Sequence, residues 1–165
     1  ILLAAKDGQI FFHESFGHHT YKISEPVTRG DIYDLASITK VVATTSAVMK
    51  LVDKKQLSLD DKVVDHVPEF KGKQSKYYNQ KSNITIRHLL THTSGLPSFK
   101  KYYLIENSPE ARLDSVMNTE PTDPMEEKTI YSDVGLIILG KVIARLTRSR
   151  RLAASPNPRR LGARR

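Results

Sequence analysis

The chain contains no cysteine. Disulfide staples, thiol catalysis and thiolate metal sites are therefore excluded. Zero cysteine also fits an extracytoplasmic bacterial protein. No apolar run approaches the roughly 20 residues that a membrane-spanning helix needs, so no transmembrane segment is predicted. Acidic residues are missing from one stretch: residues 148–165 hold seven arginines and no Asp or Glu. Removing those seven charges from the formal net charge of +8 leaves +1 for residues 1–147. The body of the chain is nearly neutral, so its basicity is a tail and not a nucleic-acid footprint. The first residue is Ile1 and not Met, and no signal peptide is visible.

The tail differs from the body in a second way. All 15 lysines fall at or before Lys141, whereas seven of the 11 arginines follow Thr147. Residues 155–165 have no hydrophobic period and are predicted to be disordered. The expected organisation is a domain over 1–147 and a basic, disordered tail over 148–165. The tail reads as a frameshifted or read-through end; a natural basic arm that binds polyanions is the alternative.

What is present suits one ordinary domain with a real core. Residues 1–17 read as a β-hairpin around Asp7-Gly8, with Ile10, Phe12 and Phe16 sharing a face. A helix is predicted from about Ser37 to Lys54. Val41, Val42, Val48, Met49, Leu51 and Val52 surround much of its girth, which predicts deep burial. Residues 56–61 offer a cap for a short helix that ends before Pro68. Residues 71–83 read as a polar loop, and 84–92 as a short helix capped by Thr85. Ser108-Pro109-Glu110 opens a helix to about Asn118. A last helix runs from about Val134 to Leu146. The order is two strands, then helices only.

Ser37 and Lys40 stand three residues apart where the first helix begins. That spacing puts them on one face. A serine hydroxyl needs a base, and a lysine serves as one only when largely neutral. An apolar wall lowers its pKa, and the helix start favours an alkoxide on Ser37. The same Ser-x-x-Lys spacing recurs at Ser98 and Lys101, without the helix start or the wall, so the bare pattern is weak. An N-cap serine beside an exposed lysine explains it equally well. Further on, Tyr131 precedes a helix capped by Ser132 or Asp133. A phenol beside a lysine can act as relay or base; a tyrosine that merely packs at a helix start is the plain alternative.

Three segments in order, Ser37-Ile-Thr-Lys40, His88-Leu-Leu-Thr-His-Thr-Ser-Gly-Leu-Pro97 and Tyr131-Ser-Asp-Val-Gly135, resemble the serine β-lactamase-like, penicillin-recognising family. The resemblance is closest to its class C-type and D-Ala-D-Ala carboxypeptidase/esterase branch. It covers nearly all of residues 1–147. It implies an α+β, β-lactamase/transpeptidase-like fold, here an N-terminal β-hairpin plus a helical subdomain; in that fold the helical subdomain is inserted between strands of an antiparallel sheet and the site lies at the junction. It implies Ser37 as acylated nucleophile, Lys40 as its activator, Tyr131 as proton shuttle, and the Ser37 N–H as half of an oxyanion hole. The implied substrate is a small molecule or peptidoglycan-like: a lactam, a D-Ala-D-Ala peptide or an ester. No cofactor and no metal are implied, and the implied location is periplasmic or extracellular.

Two departures matter. The family's second motif ends in Asn where this chain has Asp133, a position that contacts substrate. A carboxylate cannot donate to a substrate carbonyl, and its charge raises the pKa of a neighbouring lysine. The third motif, Lys-Thr-Gly or His-x-Gly, has no match after Asp133. The later sheet strands are therefore expected to be missing, with helix faces such as Val142/Leu146 uncovered. The chain reads as a C-terminally truncated piece of a larger, multidomain polypeptide, inactive as it stands.

Other readings are weaker. His88 and His92 have a zinc-ligand spacing, but residue 89 is Leu and two histidines are too few ligands. They read as loop histidines making local hydrogen bonds, and His18-His19 as a solvated turn. Nucleic-acid binding would rest on the arginine tail alone. A non-catalytic relative that senses a lactam or peptidoglycan-like ligand is the remaining alternative.

Overall fold

The computed structural model describes residues 1–21, 25–71, 78–105 and 108–153. The chain divides into two compact units, residues 1–36 and 37–165. The first is built on the antiparallel hairpin of β1 (Leu2–Lys6) and β2 (Gln9–Glu14). Asp7 and Gly8 both have positive φ, 52° and 78°, the backbone that matches a two-residue turn to strand twist. The register shifts between Ala4 and Ala5, which pair with Phe12 and Ile10. Phe11 is thus an extra residue in β2, a bulge. Ala4 and Ala5 point to opposite faces, so their partners do too. Ile10 and Phe12 therefore do not share a face, contrary to the alternation that the sequence suggests. Later in this unit His19 pairs with Asp31 at 3.0 Å, so His18-His19 is more than a solvated turn.

The second unit is helical. A π-helical segment, Lys40–Thr45, runs directly into α1 (Ser46–Asp53). There follow α2 (Val63–His66), a 3₁₀ turn Pro68–Lys71, α3 (Tyr78–Lys81), α4 (Ile86–Leu90), α5 (Tyr102–Ile105), α6 (Pro109–Met117) and α7 (Asp133–Ala153). Capping explains the boundaries. The Thr85 Oγ1 accepts the His88 N–H while His88 Nδ1 accepts the Thr85 N–H, a reciprocal box that starts α4. The Ser108 Oγ accepts the Ala111 N–H, with Pro109 at the first helical position of α6. The last helix runs on through Ala153, past the predicted stop near Leu146. The tail expected to be disordered spans 148–165; its residues 148–153 continue α7, and residues 154–165 lie outside the described residues.

α7 is the spine of this unit. It packs against α1, α2, α4, α6 and the π-helical segment. Ile138, Leu139 and Val142 are fully buried along its inner stripe, and meet a core that includes Val63, Val67, Phe70, Ile86 and Leu89. Val142 is therefore not uncovered, as the missing strands led us to expect, and Leu146 packs partly buried against the same core. The uncovered apolar face belongs to the first helix. Only Val48 and Leu51 are buried there, whereas Val41, Val42 and Met49 are 65%, 55% and 65% exposed. The expected deep burial of that helix fails because α7 covers one side of it only.

Lys81 corrects the polar-loop reading of residues 71–83. Its side chain is completely buried. Nζ donates to the Met117 carbonyl at 2.7 Å, lies 4.7 Å above the Phe70 ring and stands 3.9 Å from Glu120. Burial lowers its pKa to about 8 against an ordinary 10.5. The unfolded chain thus holds this proton more tightly than the folded one. Between those values stability rises with pH, and the handicap is fully present below about 8. The shift corresponds to something on the order of 3 kcal/mol. In urea titrations from pH 7 to 10.5, the wild-type chain should gain stability relative to Lys81→Met across that window. Parallel curves for the two proteins would show that Lys81 does not titrate on unfolding.

Candidate active site

Ser37 precedes the first helix, after Ala36, whose φ of 43° is a left-handed conformation uncommon for alanine. Lys40 begins the π-helical segment. Its carbonyl accepts the Thr45 hydroxyl at 2.9 Å, and the next carbonyl, Val41, accepts the Ser46 hydroxyl at 3.1 Å. Both bonds span five residues, the spacing of the π turn itself, and the Val41 carbonyl also accepts the Ser46 backbone N–H. Such π-helical insertions are frequent at functional sites. On this frame Lys40 Nζ lies 3.2 Å from Ser37 Oγ.

The second half of the site arrives from the start of α7. Lys40 Nζ stands 2.7 Å from Asp133 Oδ1 and 5.0 Å from the centroid of the Tyr131 ring. The structure therefore brings Ser37, Lys40, Tyr131 and Asp133 together. The lead-in to α7 is held by the loop after α4. Ile130 N–H donates to the His92 carbonyl, Ser132 N–H to His92 Nδ1 at 3.0 Å, and Asp133 N–H to the Ser98 carbonyl at 2.8 Å. The Ser132 Oγ donates to the Pro97 carbonyl and accepts the Gly135 N–H, so Ser132 caps α7. Gly95 has φ 72°, and a Cβ there would overlap the Asp123 carbonyl, so this loop requires glycine.

Electrostatics separates the roles. Lys40 is raised above its ordinary 10.5, first by its hydrogen bond to Asp133 and then by Tyr131, with burial opposing. An apolar wall that would make this lysine neutral is outweighed by the carboxylate; Lys40 is a cation at neutral pH. Tyr131 is lowered below its ordinary 10.0, first by hydrogen bonding to Ser37, then by Lys40, while Asp133 opposes. Ser37 and Lys40 thus favour the phenolate form of Tyr131.

The sequence presents His92 as a loop histidine with local hydrogen bonds, but its ring instead accepts the N–H of Ser132, forty residues along the chain. It also stacks on Tyr131, with ring centroids 4.8 Å apart and planes tilted by 43°. Its part in holding the phenol has no signature in one sequence beyond its place in the segment 88–97. His88 is engaged with Thr85 and with Glu126 at 3.0 Å. Among the described residues no group of three or more His, Asp or Glu could hold a metal ion. Ser98, from the second Ser-x-x-Lys, contributes a backbone carbonyl and nothing else to this region. A depression of about 410 Å³ opens beside the site, lined by Thr39, Lys40, Thr44, Asp133, Leu136 and Ile137. A larger one, about 570 Å³, lies near Leu57 and Arg87 and touches none of the four residues.

Among the described residues no helix is long and apolar enough to cross a membrane. The family model for Beta-lactamase matches residues 1–155, past Thr147. An N-acetylmuramyl-L-alanine amidase of Bacillus subtilis (strain 168) is 30% identical over 161 residues, which are 89% of this chain and 36% of that protein. A protein of Escherichia coli (strain K12), provisionally named a D-alanyl-D-alanine carboxypeptidase, is 30% identical over 88% of this chain and 37% of its own length. The chain thus spans little more than a third of these relatives. Among solved structures, the octameric penicillin-binding protein homologue from Pyrococcus abyssi superposes with a TM-score of 0.66 at 30% identity, covering 86% of this chain and 33% of the other. A class C beta lactamase gives the same TM-score at 27% identity, covering 88% and 38%. With this fold and a match along nearly its whole length, the chain belongs to the beta-lactamase family.

Proposed function

We propose that Ser37, Lys40 and Tyr131 form the acylation centre of a serine hydrolase that acts on a lactam, a D-Ala-D-Ala peptide or an ester. One observation carries this reading: Lys40 Nζ lies within 3.2 Å of the serine oxygen, while the same lysine faces Tyr131 and is ion-paired with Asp133. The Tyr131 oxygen takes the Ser37 proton as Oγ attacks the carbonyl carbon, and the Lys40 cation stabilises the phenolate. The Ser37 N–H stabilises the tetrahedral oxyanion. Tyr131 then returns the proton to the departing nitrogen or oxygen, which leaves an ester on Ser37. Water, deprotonated by the Tyr131 phenolate that remains, hydrolyses that ester and frees Ser37. The names of the relatives, an N-acetylmuramyl-L-alanine amidase and a D-alanyl-D-alanine carboxypeptidase, favour a peptidoglycan-like substrate met outside the cytoplasm.

No Lys-Thr-Gly or His-x-Gly follows Asp133 in these residues. Loss of one oxyanion donor costs roughly 10²–10³ in rate, so slow acylation without turnover is proposed for the chain alone. Incubation with an activated ester or a lactam, followed by intact-mass measurement, should show a single acyl adduct. Ser37→Ala should abolish it, and Tyr131→Phe should slow it by roughly 10²-fold or more. Reversible binding without any adduct would instead identify a ligand sensor.

Asp133 makes a separate prediction. Its charge raises Lys40 and opposes the lowering of Tyr131. Asp133→Asn removes both effects, so both pKa values fall and the pH dependence of acylation moves to lower pH. Superimposable pH profiles for the two proteins would mean that Asp133 does not govern this pair.

A further inference from the structure

His92 is the group beside the centre that the acylation scheme leaves without a task. It follows α4 with φ of 60°, a left-handed backbone that a non-glycine residue holds only when its surroundings require it. Its N–H donates to the Leu89 carbonyl of α4 at 3.4 Å, and three further contacts fall on the lead-in to α7. Its carbonyl accepts the Ile130 N–H at 2.9 Å, its Nδ1 accepts the Ser132 N–H at 3.0 Å, and its ring lies against Tyr131. The residues on either side of Tyr131 are thus both bonded to His92, and the imidazole covers the phenol between them. A backbone N–H can only donate, so Nδ1 must offer a lone pair. The ring is therefore neutral, with its proton on Nε2.

We infer that His92 is a positioning residue for acyl transfer: its unprotonated Nδ1 fixes Ser132, and with it the Tyr131 phenol, against Ser37 and Lys40, and protonation of the ring releases that phenol. The consequence for rate rests on the acyl-transfer reading; the placement of Tyr131 does not. The charged and titratable groups facing the ring are Lys40 from the first helix, and Tyr131 and Asp133 from the start of α7. Burial and then the Lys40 cation hold His92 below its ordinary 6.5, and Asp133 opposes them. The release therefore belongs to acid pH. Protonated His92 would also place a second cation beside Lys40, with no acceptor left for the Ser132 amide.

Two protons then control the phenol from the acid side. Below the Tyr131 pKa alone, the logarithm of the acylation rate falls by about one per pH unit. Once His92 is also protonated, it falls by about two. His92→Asn separates the two, because its side-chain oxygen accepts an N–H without titrating and asparagine tolerates a left-handed backbone.

Two measurements on the 165-residue chain decide the matter. Nitrogen-15 correlation spectra should show His92 as the Nε2–H tautomer at pH 7, titrating below 6.5, with the Ser132 amide shifting in step. An Nδ1–H tautomer, or a Ser132 amide indifferent to the titration, overturns the inference, and neither readout needs activity. The acylation rate with an activated ester should steepen at the His92 pKa in the wild type and keep a slope near one in His92→Asn. Steepening that survives in His92→Asn also overturns it. Should wild-type His92 couple to Ser132 while no adduct forms with the ester, the hydrolase reading falls and the placement of Tyr131 by His92 stands. Should His92→Asn fail to fold, the wild-type spectra decide alone.

Discussion

The ion pair between Lys40 and Asp133 is the interaction on which the site depends. It spans 2.7 Å and joins the first helix to the first turn of α7, elements that are distant in sequence. The pair is partly exposed, with side-chain accessibilities of 18% and 39%, so its direct contribution to stability is modest, about 1 kcal/mol or less. Its importance lies in charge state. Asp133 sits where a helix N-terminus favours a carboxylate, and from there it keeps Lys40 protonated. A cationic Lys40 in turn adds to the Ser37 hydrogen bond in holding the Tyr131 pKa below its ordinary value.

That pair could not form without the scaffold behind it. The start of α7 is fixed by backbone carbonyls of residues 92, 97 and 98, which accept the Ile130 N–H, the Ser132 hydroxyl and the Asp133 N–H. Carbonyl groups do not titrate and have few conformations, so such contacts fix a chain more sharply than long side chains do. The loop that supplies them is itself tied down. Gly95 accepts N–H groups from Thr122 and Asp123, and Gln80 donates to the Asp123 carbonyl at 2.8 Å. Behind this, Ile138, Leu139 and Val142 anchor α7 in the core. The site is rigid where it meets α7 and open on the side of the depression lined by Thr39, Thr44 and Ile137.

The distribution of apolar surface tells a complementary story. The helical unit closes a core along one side of the first helix and leaves Val41, Val42 and Met49 to solvent. In the other unit, Leu2, Leu3, Ile10 and Phe11 are each more than half exposed. Apolar side chains in such numbers are unusual on a free surface. The chain spans little more than a third of its relatives.

Much of this was legible in the sequence because its causes are local. Asp7-Gly8 dictates a tight turn, Thr85 and Ser108 dictate helix starts, and three short segments in fixed order mark Ser37, Lys40 and Tyr131. Those signals act over a few residues, where spacing and propensity decide. What only the tertiary structure decided are the long-range matters. The bulge at Phe11 depends on strand pairing, and the burial of Lys81 depends on the distant Met117 carbonyl and the Phe70 ring. Which face of the first helix is covered depends on where α7 lies. Whether Lys40 is amine or ammonium depends on whether an apolar wall or a carboxylate lies nearer, and Coulomb energies at a few ångströms are fixed by packing that no single stretch of chain encodes.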